Sequence, residues 1–225
     1  MSHVSFIVVI EVRYLRVHIH PLGPIQTNCY VVEDDKKNCL VFDPGYDGDA
    51  LLAELRKLSL KPVAILLTHA HFDHIGAVDT IREAYDIPVY LHVAEKKWMA
   101  SAELNGSGKY PVLPDVVCKP ADVLLHDEKT LQVGPFTIGT RHTPGHSPGS
   151  ISYIFEDDGF AIVGDTLFQG SVGRTDLPGG NTETLLTSIH EELLSLDDEC
   201  IIYPGHGPAT TPGLEKDTNP YLNGF

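Results

Sequence analysis

The sequence predicts an α/β protein, a four-layered αββα sandwich in which two β-sheets pack face to face with helices outside. Three observations carry that expectation. Two successive halves each run from short β segments to an amphipathic helix, several apolar runs have strand length, and no linker-like stretch divides the chain. At 225 residues the chain suits one domain with a substantial core, so a single domain over residues 1–225 is expected.

The first half opens with an alternating segment from Val12 to Ile19, followed by Cys29-Tyr30-Val31-Val32 and Cys39-Leu40-Val41-Phe42. These read as strands, with the charged stretch from Glu33 to Lys37 as a hairpin loop. Leu51, Leu55 and Leu58 recur at helical spacing, which predicts a helix from Asp49 to Leu58. The run Val63-Ala64-Ile65-Leu66-Leu67 has no polar member, so it reads as a strand covered on both faces. A helix from Gly76 to Tyr85 and a short strand from Pro88 to Leu91 follow. The Pro/Gly-interrupted stretch from Asn105 to Pro120 is a loop, either a lid or a plain surface connection.

The second half repeats the order, with β segments at Thr130–Val133, Phe136–Arg141, Ser150–Phe155 and Phe160–Val163. Leu186, Ile189 and Leu193 give an apolar stripe to a helix from about Glu183 to Leu196, and Ile201-Ile202-Tyr203 closes the set as a strand.

Hydrophobic residues are 42% and charged residues 21%, an ordinary globular balance. The formal charge of −15 repels phosphate backbones, and no Lys/Arg cluster interrupts it, so a small molecule rather than nucleic acid is the expected partner. The apolar run Phe6 to Ile10 is too short for a membrane span or signal-peptide core. Cys29, Cys39, Cys118 and Cys200 are scattered without a C-x-x-C pair, which fits reduced thiols in a cytoplasmic protein.

The chemistry concentrates in Thr68-His69-Ala70-His71-Phe72-Asp73-His74. Three imidazoles and a carboxylate fall within six residues directly after a buried strand. In extended backbone His69, His71 and Asp73 share one face, and His74 needs a turn to join them. A lone histidine is more often a hydrogen-bonded core residue than a ligand, but four such donors in six positions reverse that expectation. Neutral imidazole and carboxylate are the ligands zinc prefers, at about 2.0–2.2 Å. Three more donors sit in glycine-rich backbone after apolar runs: His146 in Thr143-Pro144-Gly145-His146, Asp165 in Gly164-Asp165-Thr166, and His206 in Pro204-Gly205-His206-Gly207. Asp43, before Pro44 and Gly45, either bonds the free ring nitrogen of a ligand histidine or merely shapes a turn. His18, His20, His92, His126, His142 and His190 lack ligand-like context.

This series of motifs resembles the metallo-β-lactamase superfamily over nearly the whole chain, and within it the glyoxalase II branch. The resemblance implies the metallo-β-lactamase fold and two divalent metal ions, with zinc expected and iron or manganese as alternatives. Carried over, it implies that His69, His71 and His146 hold one metal, that Asp73, His74 and His206 hold the second, and that Asp165 bridges both. It also implies hydrolysis of small thioesters of the hydroxyacylglutathione type by a metal-bridging hydroxide, with Asp73 orienting that hydroxide and handling its proton.

Departures narrow the reading. Lactamases with a cysteine among the second metal's ligands have no counterpart among the four cysteines here. Arg174 matches the basic substrate contact of glyoxalase II enzymes, but it also suits a loop-holding pair with Asp176. Asp176 and Pro208 stand where substrate-binding tyrosines would be. Only 19 residues follow His206, so the resemblance is to short forms lacking the C-terminal helical domain. Gly173-Arg174-Thr175-Asp176 also resembles persulfide dioxygenases, which use one iron, and that is the alternative activity. A β-lactamase-like, ester or lactone hydrolase is a second alternative, and a non-catalytic metal-binding module a third.

Overall fold

The computed structural model describes residues 15–110 and 114–222. The expected Phe6–Ile10 run and the start of the first predicted strand, Val12 to Tyr14, lie outside the described residues. The first sheet holds β1 (Arg16–Leu22), β2 (Thr27–Glu33), β3 (Asn38–Phe42), β4 (Lys61–Leu66), β5 (Val89–His92) and β6 (Val123–Leu125), in that spatial order. Its first three strands are antiparallel and its last three run parallel to β3. The switch follows connection length: a short turn joins β2 to β3, whereas α1 (Gly48–Lys57) carries the chain across to β4. Helices α2 (Phe72–Ile75) and α3 (Val78–Tyr85) make the next crossover.

The second sheet is built from β7 (Thr130–Val133), β8 (Phe136–His142), β9 (Ile151–Phe155) and β10 (Phe160–Gly164). A small ribbon of β11 (Leu167–Phe168) and β12 (Ser171–Val172) leads to α4 (Thr182–Ser188). Strand β13 (Ile201–Pro204) then adds parallel to β10, and α5 (Pro212–Thr218) follows.

The layers can be read from side-chain alternation. In β2, Cys29 and Val31 face one core together with Leu51, Leu55, Val78 and Ile81 of the helices. Tyr30 and Val32 face the opposite way, into a core shared with Ile138, Tyr153, Phe155 and Ile162 of the second sheet. Residues of β4 divide likewise, Ile65 to the helices and Ala64 and Leu66 to the facing sheet, which is why that run carries no polar residue. On the far side, Ile154, Ala161 and Val163 pack against Leu185, Leu186 and Ile189. Helix, sheet, sheet and helix thus form the αββα sandwich.

Two helices differ from expectation. The predicted Gly76–Tyr85 helix begins at Val78 and is preceded by a separate turn, α2, that contains Asp73 and His74. The predicted Glu183–Leu196 helix is α4 continued by a π-helical turn over Ile189–Leu193, where Leu194 N–H reaches the Ile189 carbonyl at 2.8 Å. The wider turn places Leu193 and Leu194 together in the outer core. All four cysteines are unpaired and buried, and burial pushes the Cys39 and Cys118 thiols up to about 12. Among the described residues no helix is long and apolar enough to cross a membrane.

Candidate metal centre

The seven predicted donors come from strand ends and the turns beyond them. His69 and His71 follow β4, and His71 has extended backbone (φ −68°, ψ 149°) as it leads into α2. Asp73 is therefore helical rather than extended: the short turn of α2, not strand alternation, brings both Asp73 and His74 to the site. His146 lies in the β8–β9 connection, Asp165 follows β10, and His206 follows β13.

The fold brings all seven together. One ligand atom from each of His69, His71 and His146 lies within 4.8 Å of the others, and the same holds for Asp73, His74 and His206 and for His69, His74 and Asp165. Asp165 spans the two clusters. Its Oδ1 lies 3.4 Å from His74 Nε2, while Oδ2 lies 3.8 Å from His146 Nε2 and 3.6 Å from His206 Nε2. Asp73 Oδ2 lies 3.2 Å from His206 Nε2 and accepts the Thr27 hydroxyl at 2.9 Å.

Hydrogen bonds outside the cluster fix which ring nitrogens face it. The Arg174 carbonyl can only accept, so His146 Nδ1, 2.8 Å away, carries the proton and Nε2 turns a lone pair inward. The Asp43 carboxylate does the same for His74, accepting from Nδ1 at 3.0 Å. Thr68 donates its hydroxyl hydrogen to Asp43 Oδ2 at 2.6 Å, which leaves its oxygen to accept from His69 Nδ1 at 3.1 Å. One carboxylate thus orients two imidazoles. Asp43 sits at φ 48°, a conformation unfavourable for a non-glycine residue, and is held there by its bonds to Thr68 and His74. Of the two roles the sequence leaves open for it, the structure shows the orienting one.

The inward atoms fit a cation. Nε2 of His69 and of His74 and Oδ1 of Asp165 are buried without a hydrogen-bond partner, and a native fold rarely leaves such groups unsatisfied. Backbone approach is equally tight: a Cβ on Gly205 would stand 2.0 Å from Asp165 Oδ1, so only glycine lets β13 turn past that carboxylate. Burial lowers His69 and His146 and takes His71 down to about 3, which keeps these rings neutral. Burial is the largest single influence on the two carboxyls and works to raise them, but the surrounding imidazoles together outweigh it, His74 and His206 for Asp73 and His74, His146 and His206 for Asp165. Both stay below the ordinary carboxyl value. Burial lowers His74 and His206, yet the carboxylates reverse this and raise both. The pocket therefore carries surplus negative charge of the kind a proton or a metal cation neutralises.

Several supporting residues escape sequence reading. Glu95 is fully buried: Oε2 accepts Ala70 N–H at 2.6 Å, and Oε1 accepts Gly149 N–H at 2.8 Å and the Ser147 hydroxyl. It ties the His69–His71 segment to the His146 turn. In sequence, Ala94-Glu95-Lys96-Lys97 looks like any exposed charged stretch, and only the tertiary partners distinguish it. Of the histidines without ligand-like context, His92 and His142 stack with ring centroids 4.2 Å apart and planes 21° apart, and Asp127 lies beside them. Face-to-face rings hold their nitrogens side by side rather than converging, and His142 Nε2 already bonds the Pro148 carbonyl at 2.9 Å.

A pocket of about 540 Å³ opens over the centre. Arg174 lines it, but the guanidinium grips Asp176 through two hydrogen bonds of 2.7 and 2.8 Å, and these hold the Asp176 carboxyl down to about 2. The stretch predicted as lid or connection supplies Asn105, Gly106, Lys109 and Tyr110 to the wall.

Two facing sheets that gather imidazoles and carboxylates at the ends of their strands, under an open pocket, are the framework of a metallo-hydrolase. This chain belongs to the metallo-beta-lactamase superfamily, whose family model matches residues 22–206. It is 55% identical to the probable metallo-hydrolase YqgX of Bacillus subtilis over 91% of this chain and 96% of that one. It is 36% identical to the hydroxyacylglutathione hydrolase GloC of Haemophilus influenzae over 93% and 99%. Among solved structures, the BLEG-1 B3 metallo-beta-lactamase superposes with a TM-score of 0.91 at 52% identity, covering 93% of this chain and all of that one. TTHA1623 in a di-iron-bound form superposes with a TM-score of 0.81 at 41% identity, covering 92% and 100%.

Proposed function

We propose that this protein is a dinuclear metal-dependent hydrolase of small thioesters. The observation that carries the reading is the Asp165 carboxylate, one oxygen of which faces His74 while the other faces His146 and His206. In this reading His69, His71 and His146 hold one metal, Asp73, His74 and His206 hold the other, and Asp165 serves both. Bound metals supply a water of lowered pKa and a Lewis acid for the acyl oxygen. Resemblance to the hydroxyacylglutathione hydrolase supports the thioester class, and likeness to a di-iron protein keeps iron beside zinc as the metal.

The chain's own residues have separable tasks. His146, His74 and His69 present fixed lone pairs because Arg174 O, Asp43 and Thr68 take their other nitrogens. Asp73 lines the pocket and keeps Oδ2 beside His206 and the Thr27 hydroxyl, a position suited to orienting water and holding its proton. No serine or cysteine nucleophile is needed, since the attacking oxygen comes from water. A thiolate leaves readily, so no general acid is required for it.

Metal analysis of the purified protein, combined with a thioester hydrolysis assay and an oxygen-uptake assay on glutathione persulfide, tests this. Two equivalents of metal with thioesterase activity are expected. One iron with oxygen consumption replaces the reading with the dioxygenase one.

A further inference from the structure

We propose that the pocket selects thioesters with a bulky apolar acyl group rather than a small polar one on a charged thiol; this rests on the thioesterase reading above. Ile25, Phe72, Tyr110, Phe168, Val172 and Leu177 surround the space over the metal centre. Ile25 is 47% exposed and Tyr110 39%, so two large apolar side chains stand in water at this rim. Phe72 lies between two proposed ligands, His71 and Asp73, and Tyr110 packs on it with ring centroids 5.4 Å apart. The apolar wall is thus continuous with the place where the acyl carbon must sit, within reach of a chain carried on that carbon.

The wall is pre-built. Phe72 N–H bonds the Asn105 carbonyl at 3.0 Å, and buried Asn105 donates to the Val116 carbonyl at 2.8 Å while its Oδ1 accepts from Ser107 N at 3.0 Å and from Ser107 Oγ at 2.8 Å. Ser107 Oγ in turn accepts Val116 N–H at 3.0 Å. These bonds fix Asn105 and Ser107 beside Phe72, and Tyr110 N–H bonds the Ser107 carbonyl at 3.1 Å. The charged side of the rim offers less. Among the described residues, Lys109 and Arg174 are the cations lining the pocket, and the Arg174 guanidinium is already bidentate on Asp176. Beyond the metal centre itself, a multiply anionic thiol would find Lys109 and an Arg174 already held by Asp176, on a chain of −15, whereas an apolar acyl chain finds six side chains that shed water on contact.

The reaction itself is ordinary hydrolysis. A water oxygen bonds to the acyl carbon, the C–S bond breaks with its electron pair on sulfur, and the products are a carboxylate, a thiol and one proton.

The test is a chain-length series of thioesters on one uncharged thiol, N-acetylcysteamine, from acetyl to hexanoyl, with S-lactoylglutathione alongside. With each buried methylene giving about a three- to fourfold gain when fully covered, kcat/KM should rise by about tenfold or more across the series. Hexanoyl should exceed S-lactoylglutathione. Tyr110→Ala and Ile25→Ala should each cost the hexanoyl substrate more than the acetyl one, with metal content and Tm retained. Calorimetric Kd values for the matching non-hydrolysable amides should fall in the same order. A flat series, or preference for S-lactoylglutathione, overturns the apolar assignment while leaving the thioesterase reading intact. Hydrolysis of none of these thioesters, with the amides still ranked by chain length, overturns the thioesterase reading and keeps the apolar pocket. Neither hydrolysis nor ranked binding overturns both.

Discussion

The main-chain carbonyl of Arg174 accepts the Nδ1–H of His146 at 2.8 Å, while the side chain of the same residue turns away to Asp176. Orientation of a proposed metal ligand therefore depends on where the residue 173–176 loop runs, not on the charge Arg174 carries. Gly173 permits that path, since a Cβ there would stand 1.9 Å from the Asp165 carbonyl.

Arg174→Ala should accordingly leave metal content and kcat within about twofold, because the carbonyl remains and an exposed ion pair contributes little. Asp176→Ala should free the guanidinium and lower KM for an acidic thioester relative to an uncharged one. Steady-state kinetics on both substrates decide the matter. A selective KM increase for the acidic thioester in Arg174→Ala would make the side chain a substrate contact after all.

His146→Ala and Asp165→Ala test the proposed ligand set directly. Each should lower bound metal by about one equivalent or more and reduce hydrolysis by a hundredfold or more, on the order of the loss expected when a metal-activated water is removed. Elemental analysis and circular dichroism check content and fold separately. Retention of two metals by either variant would show that the residue is not a ligand.

Glu95→Ala leaves three buried donors, on Ala70, Ser147 and Gly149, without an acceptor. The expected cost is about 3 kcal/mol or more in stability, with metal affinity weakened about tenfold or more because both ligand turns lose their common anchor. Denaturant unfolding of the metal-free protein and a chelator competition measure the two effects independently. Normal metal affinity in a destabilised variant would confine Glu95 to a packing role.

Acid stability should depend on Glu33, whose side chain is only 2% exposed in the first sheet. Burial pushes its carboxyl up, but hydrogen bonds from Lys37 and His18, at 2.7 Å each, prevail and hold it below the ordinary value. A group depressed in the folded state contributes stability above its unfolded pKa of about 4.3 and loses it as pH falls through the folded value. Urea unfolding at a series of pH values below about 5 should show a decline that is shallower in Glu33→Gln. Identical slopes would assign the acid sensitivity to other carboxylates.

The layered fold was legible because β2 and β4 must alternate between two cores, and a strand covered on both faces has no place for polar residues. The seven donors were legible too, since histidines and aspartates crowd the ends of those strands in glycine-rich backbone. The sequence did not show how Asp73 and His74 reach the site: the histidine-rich segment reads as extended, and the turn of α2 forms only against the Pro44–Gly45 backbone, which accepts Ala77 N–H at 2.9 Å and closes on Gly76. Glu95, Thr68 and Thr27 carry no local signal because their partners lie 25 or more residues away, except for the Thr68–His69 contact. Local periodicity determines which face of an element is apolar. Which ring nitrogen faces the centre, whether Arg174 is engaged with Asp176, and which side chains wall the pocket are long-range contacts or loop geometry, and only the packed chain decides them.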